Sequence, residues 1–378
     1  MHRLPFADLE TPALLVERRI LEDNATAMQQ LADSAGVTLR PHAKTHKSPE
    51  LARLQVEMGA GGVTVATLTE AECMADEGID DIFVAYPPVG PWRVDRLRML
   101  LSRASVIVGV ESAGAVRALA KLGADVGRDV PFRWEIDSGL GRLGSPPGQP
   151  AVDAIQTALD EPNTLFDGIF THAGHSYRAE SRERIDDIAR GEARCLLETA
   201  EELRRLGVTV RSMSVGSTPT ARVAARVPGV TEIRPGTYIY NDATQVALGV
   251  AEPADCAQSV LATVVGRPTP DRVVVDSGSK ALPPENPSGR ATGWGIVLGH
   301  PDLVVERLYE EHGVLRSPTS SSLDVGDRVR IIPNHACTTT NLHARLNVVD
   351  GDEVVRVIHL RARNWHRADG DDVPNAAH

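Results

Sequence analysis

The chain has 378 residues and a formal net charge of -11, with 51 acidic residues against 40 lysines and arginines. It carries no long basic run that could follow a phosphate backbone, which argues against a nucleic-acid partner. Apolar runs such as residues 260–265 are too short to span a membrane, and Met1-His2-Arg3-Leu4-Pro5 lacks the apolar segment of a signal peptide. We therefore expect a cytoplasmic protein without a membrane partner.

Short β-branched runs alternate with longer segments of helical period over residues 11–250. The first pair joins a predicted strand at 14–16 to a helix at 20–35. The other predicted strands cover residues 39–41, 62–65, 82–85, 105–108, 132–136, 166–170, 212–215 and 232–234, and the other predicted helices cover residues 70–77, 94–102, 113–122, 151–159 and 181–206. A strand count close to eight predicts an α/β fold, with an N-terminal TIM-like (β/α)8 barrel over residues 11–250.

The pattern changes after residue 250, where helical period fades and strand-like runs are separated by Gly, Pro and Ser. This predicts a β-rich C-terminal domain over residues 251–378, to which residues 1–10 are a candidate addition. Residues 283–289 and 317–322 read as loops, and the tail from Asp369 is expected to be mobile.

Chemically useful residues follow several of the predicted barrel strands, and in a parallel barrel these strand ends meet at one face. They are Lys44, Asp137 to Gly144, Thr171 to Tyr177, Gly216-Ser217-Thr218 and Arg234-Pro235-Gly236-Thr237-Tyr238. Small residues and hydroxyls after the last two strands would let backbone N–H groups approach a phosphate. Each segment also has an ordinary interpretation, such as a turn glycine, a hydrogen-bonded core histidine or a surface ion pair.

Lys44 lies in Arg40-Pro41-His42-Ala43-Lys44-Thr45-His46-Lys47, among other cations and after a proline. Desolvation and neighbouring positive charge lower the pKa of a lysine, which favours the free amine that forms a Schiff base with an aldehyde cofactor. The alternative for Lys44 is a solvated basic loop, and Lys280 is its main rival as the reactive amine.

His335 and Cys337 are separated by one residue after the strand-like residues 330–332. If extended structure continues, both side chains point to one face and could bind one ion, for which imidazole and thiolate favour zinc. The four cysteines form no CxxC pair, so we expect Cys337 to be reduced. The alternative is a buried cysteine beside an unrelated histidine. His343 is a further candidate, either to orient the site or as a third ligand.

Taken together, these motifs resemble the D-serine dehydratase and D-threonine aldolase family over nearly the whole chain. The resemblance rests on Thr11-Pro12-Ala13-Leu14, residues 40–47, Asp137 to Gly144, Thr171 to Tyr177, residues 234–238, Glu311-His312-Gly313 and His335-Ala336-Cys337. The family is similar to alanine racemases: pyridoxal 5'-phosphate (PLP) enzymes with an N-terminal barrel and a C-terminal β domain, usually homodimers with sites near the subunit interface.

The resemblance also implies roles for individual residues. Lys44 would bind PLP as a Schiff base, His172 would lie against the ring, and Arg142 would contact the side of the phenolic oxygen. Arg234 would face the pyridine nitrogen. The remaining cofactor-binding residues would be Tyr177 and, around the phosphate, Ser217, Thr218, Gly236 and Thr237. His335 and Cys337 would hold Zn2+ or another divalent metal.

The implied reaction is dehydration of a D-3-hydroxy amino acid, with D-serine giving pyruvate and ammonia. Lys44 would act as the base at Cα while the metal polarises the β-hydroxyl. The alternative is D-threonine aldolase activity, which gives glycine and an aldehyde. Family aldolases place an aspartate where Cys337 stands, so the thiol favours dehydration. Two further alternatives are a non-catalytic PLP carrier, which has little use for the metal pair, and an alanine racemase with Tyr309 as its acid–base tyrosine.

Overall fold

The computed structural model describes residues 4–5 and 8–363. The tail from Asp369, expected to be mobile, lies outside the described residues. The strands are β1 (Leu4–Pro5), β2 (Ala13–Glu17), β3 (Thr38–Leu39), β4 (Val63–Val65), β5 (Asp81–Val84), β6 (Ser105–Val110), β7 (Val130–Glu135), β8 (Thr164–Phe170), β9 (Ser212–Val215), β10 (Glu232–Ile233), β11 (Gln258–Thr269), β12 (Arg272–Val275), β13 (Gly295–Val297), β14 (Val304–Leu308), β15 (Gly313–Arg316), β16 (Arg328–Pro333), β17 (Arg345–Asp350) and β18 (Glu353–His359).

The α-helices are α1 (Arg18–Ala35), α2 (Pro49–Glu57), α3 (Leu68–Asp76), α4 (Pro91–Leu101), α5 (Ala113–Val126), α6 (Gln149–Gln156), α7 (Arg182–Arg205), α8 (Ala221–Ala224), α9 (Ala243–Ala247) and α10 (Ala336–Leu342). Short 3₁₀ helices cover Ala43–Thr45, Gly174–Arg178, Thr237–Ile239 and Pro253–Asp255. Along the described chain, no helix combines the length and the apolar character needed to cross a membrane.

Eight parallel strands form the N-terminal barrel, in the order β3-β10-β9-β8-β7-β6-β5-β4. The sheet closes where His42, just beyond β3, makes a parallel bridge to Thr64 in β4. Nearly continuous apolar strands are expected when helices cover such a sheet, and Phe83, Phe132 and Trp134 are accordingly buried. The barrel and the β-rich C-terminal part confirm the predicted fold class.

The strand at residues 14–16 does not belong to the barrel, so its assignment as the first barrel strand was wrong. It forms β2, which lies between β17 and β11 in a second sheet of ten strands. β2 pairs in parallel with β17 and antiparallel with β11. A local pattern of strand followed by helix identifies both elements but does not say which sheet the strand joins, because that choice depends on pairing with residues far along the chain.

The second sheet has the order β1-β18-β17-β2-β11-β12-β15-β14-β13-β16. β11 also pairs with β16, which brings the far edge of the sheet back to its middle and curls it into a barrel-like domain. β1 pairs with β18, so residues 4–5 contribute to this domain. The β16 strand leads directly to His335 and Cys337.

Charged side chains meet at the centre of the (β/α)8 barrel, around Glu232 on β10. Its two carboxylate oxygens accept hydrogen bonds from Arg40 Nε (2.8 Å) and Arg133 Nη1 (2.6 Å), and from the Ser214 hydroxyl (2.5 Å). Arg234 in turn donates to the Ser214 hydroxyl. A buried carboxylate is tolerated only when it is paired in this way, and the network connects the barrel interior to the residues at the strand ends.

Candidate active site

A cavity of about 650 Å³ opens at the carboxyl ends of the barrel strands. All the residues predicted from the sequence to bind the cofactor or metal line it: Lys44, Arg142, His172, Tyr177, Ser217, Thr218, Arg234, Gly236, Thr237, His335 and Cys337. The structure therefore brings together groups that follow β3, β7, β8, β9 and β10 with two from the β-rich domain. Their individual roles stay predictions.

Lys44 lies in the 3₁₀ helix Ala43–Thr45, which follows β3. Burial lowers the pKa of its amine; the Cys337 thiolate opposes this shift and the Arg142 guanidinium adds to it. The neighbouring Thr45 Oγ1 lies 3.2 Å from Cys337 Sγ, so the lysine and the candidate metal ligands share one small space. The amine is thus placed and polarised as a Schiff-base lysine needs to be.

Lys280, the rival lysine, lies outside the cavity. Its side chain is 60% exposed and its Nζ pairs with Glu311 at 2.7 Å and with Glu310 at 3.0 Å. The hydrogen bonds to Glu311 and Glu310 raise the pKa of Lys280. A solvated, ion-paired ammonium is a poor nucleophile, which favours Lys44 as the reactive amine.

The strand ends of β9 and β10 offer a cradle for a phosphate. A Cβ on Gly236 would come within 2.7 Å of Thr45 Oγ1, so only a glycine lets the backbone approach this closely. Ser217 Oγ lies 3.0 Å from Ser176 Oγ, and Thr218 Oγ1 accepts a hydrogen bond from the Tyr238 backbone N–H at 3.1 Å. These contacts hold both hydroxyl-bearing residues at the cavity wall.

His172 and Arg234 lie side by side on the wall formed by β8, β9 and β10. Burial, with help from Lys44 and Arg142, lowers the pKa of His172 to about 3, so its imidazole is neutral; its Nδ1–H donates to the Gly216 carbonyl at 2.7 Å. Burial also lowers the pKa of Arg234, to about 10, which leaves it protonated at neutral pH. Its Nη2 donates to the Thr171 carbonyl at 2.7 Å, and its guanidinium lies 5.2 Å from the Phe170 ring centroid.

Arg142 is presented by a turn that Asp137 holds in place. The Asp137 carboxylate accepts backbone N–H groups from Gly139 (2.9 Å), Leu140 (2.8 Å) and Gly141 (3.0 Å). The side chain of Arg142 is 53% exposed and its Nη2 lies 3.7 Å from Glu135 Oε1. The turn therefore places a cation at the cavity mouth with one end paired and the rest free for an anionic ligand.

His335 and Cys337 line the same cavity, but the extended backbone expected for them continues only as far as His335. β16 ends at Pro333, His335 is the N-cap of α10, and Cys337 lies in the first turn of that helix. The Ala336 N–H donates a hydrogen bond to the Asp242 carboxylate at 3.0 Å, which holds the helix start in place. Burial alone would lower the pKa of His335, but hydrogen bonds with Cys337 and Glu285 raise it to about 10. Burial alone would raise the pKa of Cys337, but His335 and Lys44 lower it to about 7.

Glu285 was missed by the sequence analysis. Its Oε2 lies 2.6 Å from His335 Nδ1 and also accepts the Thr338 hydroxyl at 3.0 Å. Such a carboxylate is the usual partner of a metal-binding histidine, because it fixes the tautomer that leaves the other ring nitrogen for the ion. Glu285 lies in a proline-rich loop with no motif around it, so no local signal could have identified it.

The structure does not bring His343 to this pair. His343 Nε2 donates to the Ala281 carbonyl at 3.0 Å, outside the cavity. No cluster of three or more His, Cys, Asp or Glu side chains suited to a metal occurs within residues 4–5 and 8–363. Imidazole and thiolate still form a donor set that fits zinc, with open positions left for water or substrate. Tyr309, the candidate racemase tyrosine, is 52% exposed and also lies outside the cavity.

Comparison with known proteins identifies the family of the chain. Residues 16–244 match the family described as "Alanine racemase, N-terminal domain", and residues 257–349 match "Putative serine dehydratase domain". The chain is 36% identical to D-threo-3-hydroxyaspartate dehydratase of Delftia sp. (strain HT23) over 349 residues, 88% of this chain and 92% of that one. It is 30% identical to D-serine dehydratase of Dictyostelium discoideum over 391 residues, 95% of this chain and 98% of that one.

Among solved structures, D-threonine aldolase from Filomicrobium marinum superposes with a TM-score of 0.90 at 29% identity, covering 96% of this chain and 98% of the aldolase. The fold is thus that of alanine racemase-like PLP enzymes. Within that class, the chain belongs to the D-serine dehydratase and D-threonine aldolase family. It is a PLP-dependent lyase, a dehydratase or aldolase of D-hydroxy amino acids.

Proposed function

We propose that the protein is a zinc-dependent dehydratase that converts D-serine and related D-3-hydroxy amino acids to 2-oxo acids and ammonia. The observation that carries the proposal is the shared cavity: Lys44 and the His335–Cys337 pair line the same wall, with 3.2 Å between Thr45 Oγ1 and Cys337 Sγ. A lysine base and a Lewis acid at one substrate suit removal of a Cα proton together with a β-hydroxyl.

The residues present fit PLP. The cavity of about 650 Å³ has room for the cofactor and a small amino acid, and the close approach at Gly236 suits a phosphate. His42 Nδ1 is buried at this wall without a hydrogen-bond partner among the described residues, as expected of a group that meets a ligand. When bound, PLP supplies the electron sink for the substrate Cα carbanion.

Lys44 serves two purposes in this proposal. It would bind the cofactor aldehyde, and as a free amine it would take the proton from Cα of the substrate. Its lowered pKa keeps more of the amine in the basic form at neutral pH. General base catalysis of this kind contributes about 10²- to 10⁴-fold to the rate.

Arg234 would influence how strongly the cofactor withdraws electrons from the substrate. It is held by the Thr171 carbonyl and the Ser214 hydroxyl and stays protonated, with a pKa of about 10. If Arg234 faces the pyridine nitrogen, as the resemblance implies, it would donate a hydrogen bond to that atom but could not accept one, and it would give up no proton near neutral pH. PLP held in this way would be a weaker electron sink, so activation of the leaving hydroxyl would become more important.

His335 and Cys337 provide that activation through the ion they would hold. A zinc ion there supplies Lewis acidity to the β-hydroxyl. Glu285 orients the His335 ring at 2.6 Å, and Asp242 fixes the helix start that carries Cys337 through the Ala336 N–H at 3.0 Å. The two ligands are thus positioned by separate carboxylates.

Aldol cleavage is the second candidate, supported by the structural likeness to a D-threonine aldolase. Purified enzyme loaded with PLP and zinc is incubated with D-serine and D-threonine, and the products are assayed. We expect pyruvate and 2-oxobutyrate with equimolar ammonia, and loss of both after chelation of the metal while PLP stays bound. Glycine as the main product would contradict the dehydratase assignment and favour the aldolase.

A further inference from the structure

Two cavity-lining side chains have no part in the chemistry proposed above: His175 and Arg178. Both belong to the 3₁₀ helix Gly174–Arg178, which follows β8. Residues three apart in a 3₁₀ helix lie on the same face, one above the other. The two side chains therefore stand together, and both line the cavity.

Arg178 is an exposed residue at the edge of the cavity, and within residues 4–5 and 8–363 its guanidinium has no hydrogen bond or ion pair. The other cavity arginines are engaged: Arg142 with Glu135 at 3.7 Å and Arg234 with the Thr171 carbonyl at 2.7 Å. A guanidinium presents donors in a planar fork that matches a carboxylate. An unpaired arginine at a cavity wall is thus suited to an anionic group of a ligand.

His175 adds a second unsatisfied group. Its Nδ1 is buried and has no hydrogen-bond partner in the described part of the chain. Burial lowers the pKa of His175, which makes the neutral ring, with one N–H donor, the main form at neutral pH. Buried polar atoms are nearly always hydrogen-bonded, so this unpaired nitrogen at the cavity wall is available to a polar atom of a ligand.

The helix that carries both residues is held at its middle and just after its C-terminal end. Ser176 Oγ lies 3.0 Å from Ser217 Oγ on the phosphate side. The carbonyl of Ala179, just after the helix, accepts a hydrogen bond from Arg290 Nη1 of the β-rich domain at 3.2 Å. The two donors are consequently fixed relative to the cofactor-binding wall rather than carried on a free loop.

We propose that His175 and Arg178 form a subsite for a second carboxylate, borne on Cβ of the substrate. The inference rests on the proposed function and names its substrate class: D-3-hydroxy amino acids with a carboxylate at Cβ. The hydrogen of D-serine and the methyl of D-threonine offer nothing for a guanidinium to bind. The α-carboxylate is common to all the substrates, so a side chain that binds it cannot discriminate among them.

The test compares D-threo-3-hydroxyaspartate with D-serine in wild type and in Arg178→Gln, both loaded with PLP and zinc. We expect wild type to prefer the dicarboxylate in kcat/KM. Arg178→Gln should lower the ratio of the two kcat/KM values by about 10- to 100-fold, the worth of a hydrogen-bonded charge pair. The control is Arg190→Gln, an exposed arginine on α7 outside the cavity, which should leave the ratio unchanged.

Retained visible absorbance of bound PLP shows that Arg178→Gln has folded, and Arg178→Lys should restore part of the preference. If Arg178→Gln lowers kcat/KM by the same factor on both substrates, Arg178 binds the α-carboxylate instead. If neither kcat/KM value changes, Arg178 binds no group of the substrate. Either result leaves the ratio unchanged and overturns the subsite. Absence of turnover on every D-3-hydroxy amino acid would defeat the proposed function instead. The subsite can then be tested without turnover, by calorimetric measurement of the affinities for D-aspartate and D-alanine. Tighter binding of D-aspartate that is lost in Arg178→Gln supports the subsite, and equal binding of the two amino acids overturns it.

Discussion

A lysine amine is a nucleophile at neutral pH only where its surroundings lower its pKa, and Lys44 and Lys280 differ in this respect. Burial lowers the pKa of Lys44, whereas Glu311 and Glu310 raise that of Lys280. We predict that Lys44→Ala abolishes the visible absorbance of bound PLP and that Lys280→Ala retains it. Absorption spectra of the two purified variants after incubation with PLP measure this; the reverse result would mean that the cofactor site is misplaced.

A second prediction at the residue scale concerns Glu285. Its contact with His335 Nδ1 at 2.6 Å should fix the ring so that Nε2 faces the ion. Glu285→Gln should weaken zinc binding by about 10- to 100-fold, the usual effect of losing such a partner. Competition with a chromophoric chelator measures the affinity without any substrate.

The matched control for Glu285→Gln is Glu310→Gln, a change to an exposed carboxylate, 79% accessible, that pairs only with Lys280 among the described residues. It should bind zinc as wild type does. Equal affinities in all three proteins would show that His335 needs no carboxylate to be oriented.

At the scale of the elements, the barrel interior depends on Glu232, where β10 meets Arg40 and Arg133. Glu232→Gln keeps the shape but removes the anion that Arg40 and Arg133 share, and leaves each with one carboxylate, Asp81 and Asp167. Removing one partner of a buried ion pair costs about 3–5 kcal/mol, and the remaining carboxylates place the expected cost at the lower end, about 3 kcal/mol. Urea unfolding should show a loss of this size, whereas Glu201→Gln, an exposed carboxylate paired with Arg205, should change stability by less than about 1 kcal/mol.

The loss caused by Glu232→Gln should also depend on pH. Burial would raise the pKa of Glu232, but Arg133 and Arg40 outweigh it and lower the pKa from 4.5 to about 2. The folded state thus holds its proton less tightly than the unfolded chain, so the stabilisation is complete above pH 4.5 and is lost as pH falls towards 2. Unfolding of the two proteins at several pH values should converge at the acid end; a constant difference would assign the effect to packing.

The sequence predicted much of this site because one rule covers it: side chains after parallel strands share a face. That rule placed the segments that carry Lys44, His172, Arg234 and the phosphate-side residues at one end of the barrel, whereas the roles of the individual residues came from the resemblance to the family. The rule could not find Glu285, whose partners, His335 and Thr338, lie 50 and 53 residues further along the chain. The extended backbone predicted through His335 and Cys337 holds at His335 but not at Cys337, because a helix begins at Ala336, whose N–H donates to Asp242, a residue distant in sequence.

At the scale of the whole molecule, the two predicted domains are not separate along the chain, because β2, near the N-terminus, lies inside the C-terminal sheet. Leu14, Leu15 and Val16 are each no more than 1% exposed, and β2 separates β17 from β11. A fragment of residues 251–378 therefore lacks a central strand, and both neighbours lose a partner. We predict that this fragment does not fold alone, as judged by poor dispersion of its amide NMR signals.

Adding β2 back should allow the C-terminal fragment to fold. The Glu17 N–H donates to the Ala257 carbonyl at 2.8 Å, so the end of β2 lies beside the start of β11 and a two-residue Asn-Gly turn can replace the whole intervening barrel. Residues 1–17 joined by this turn to residue 257 should give a dispersed spectrum, whereas the same protein with Leu15→Asp should not, because a charge would then be buried in the sheet without a partner. Equal dispersion in the bare fragment would show that β11 and β17 hold together without β2, and that the predicted boundary at residue 250 is also a folding boundary.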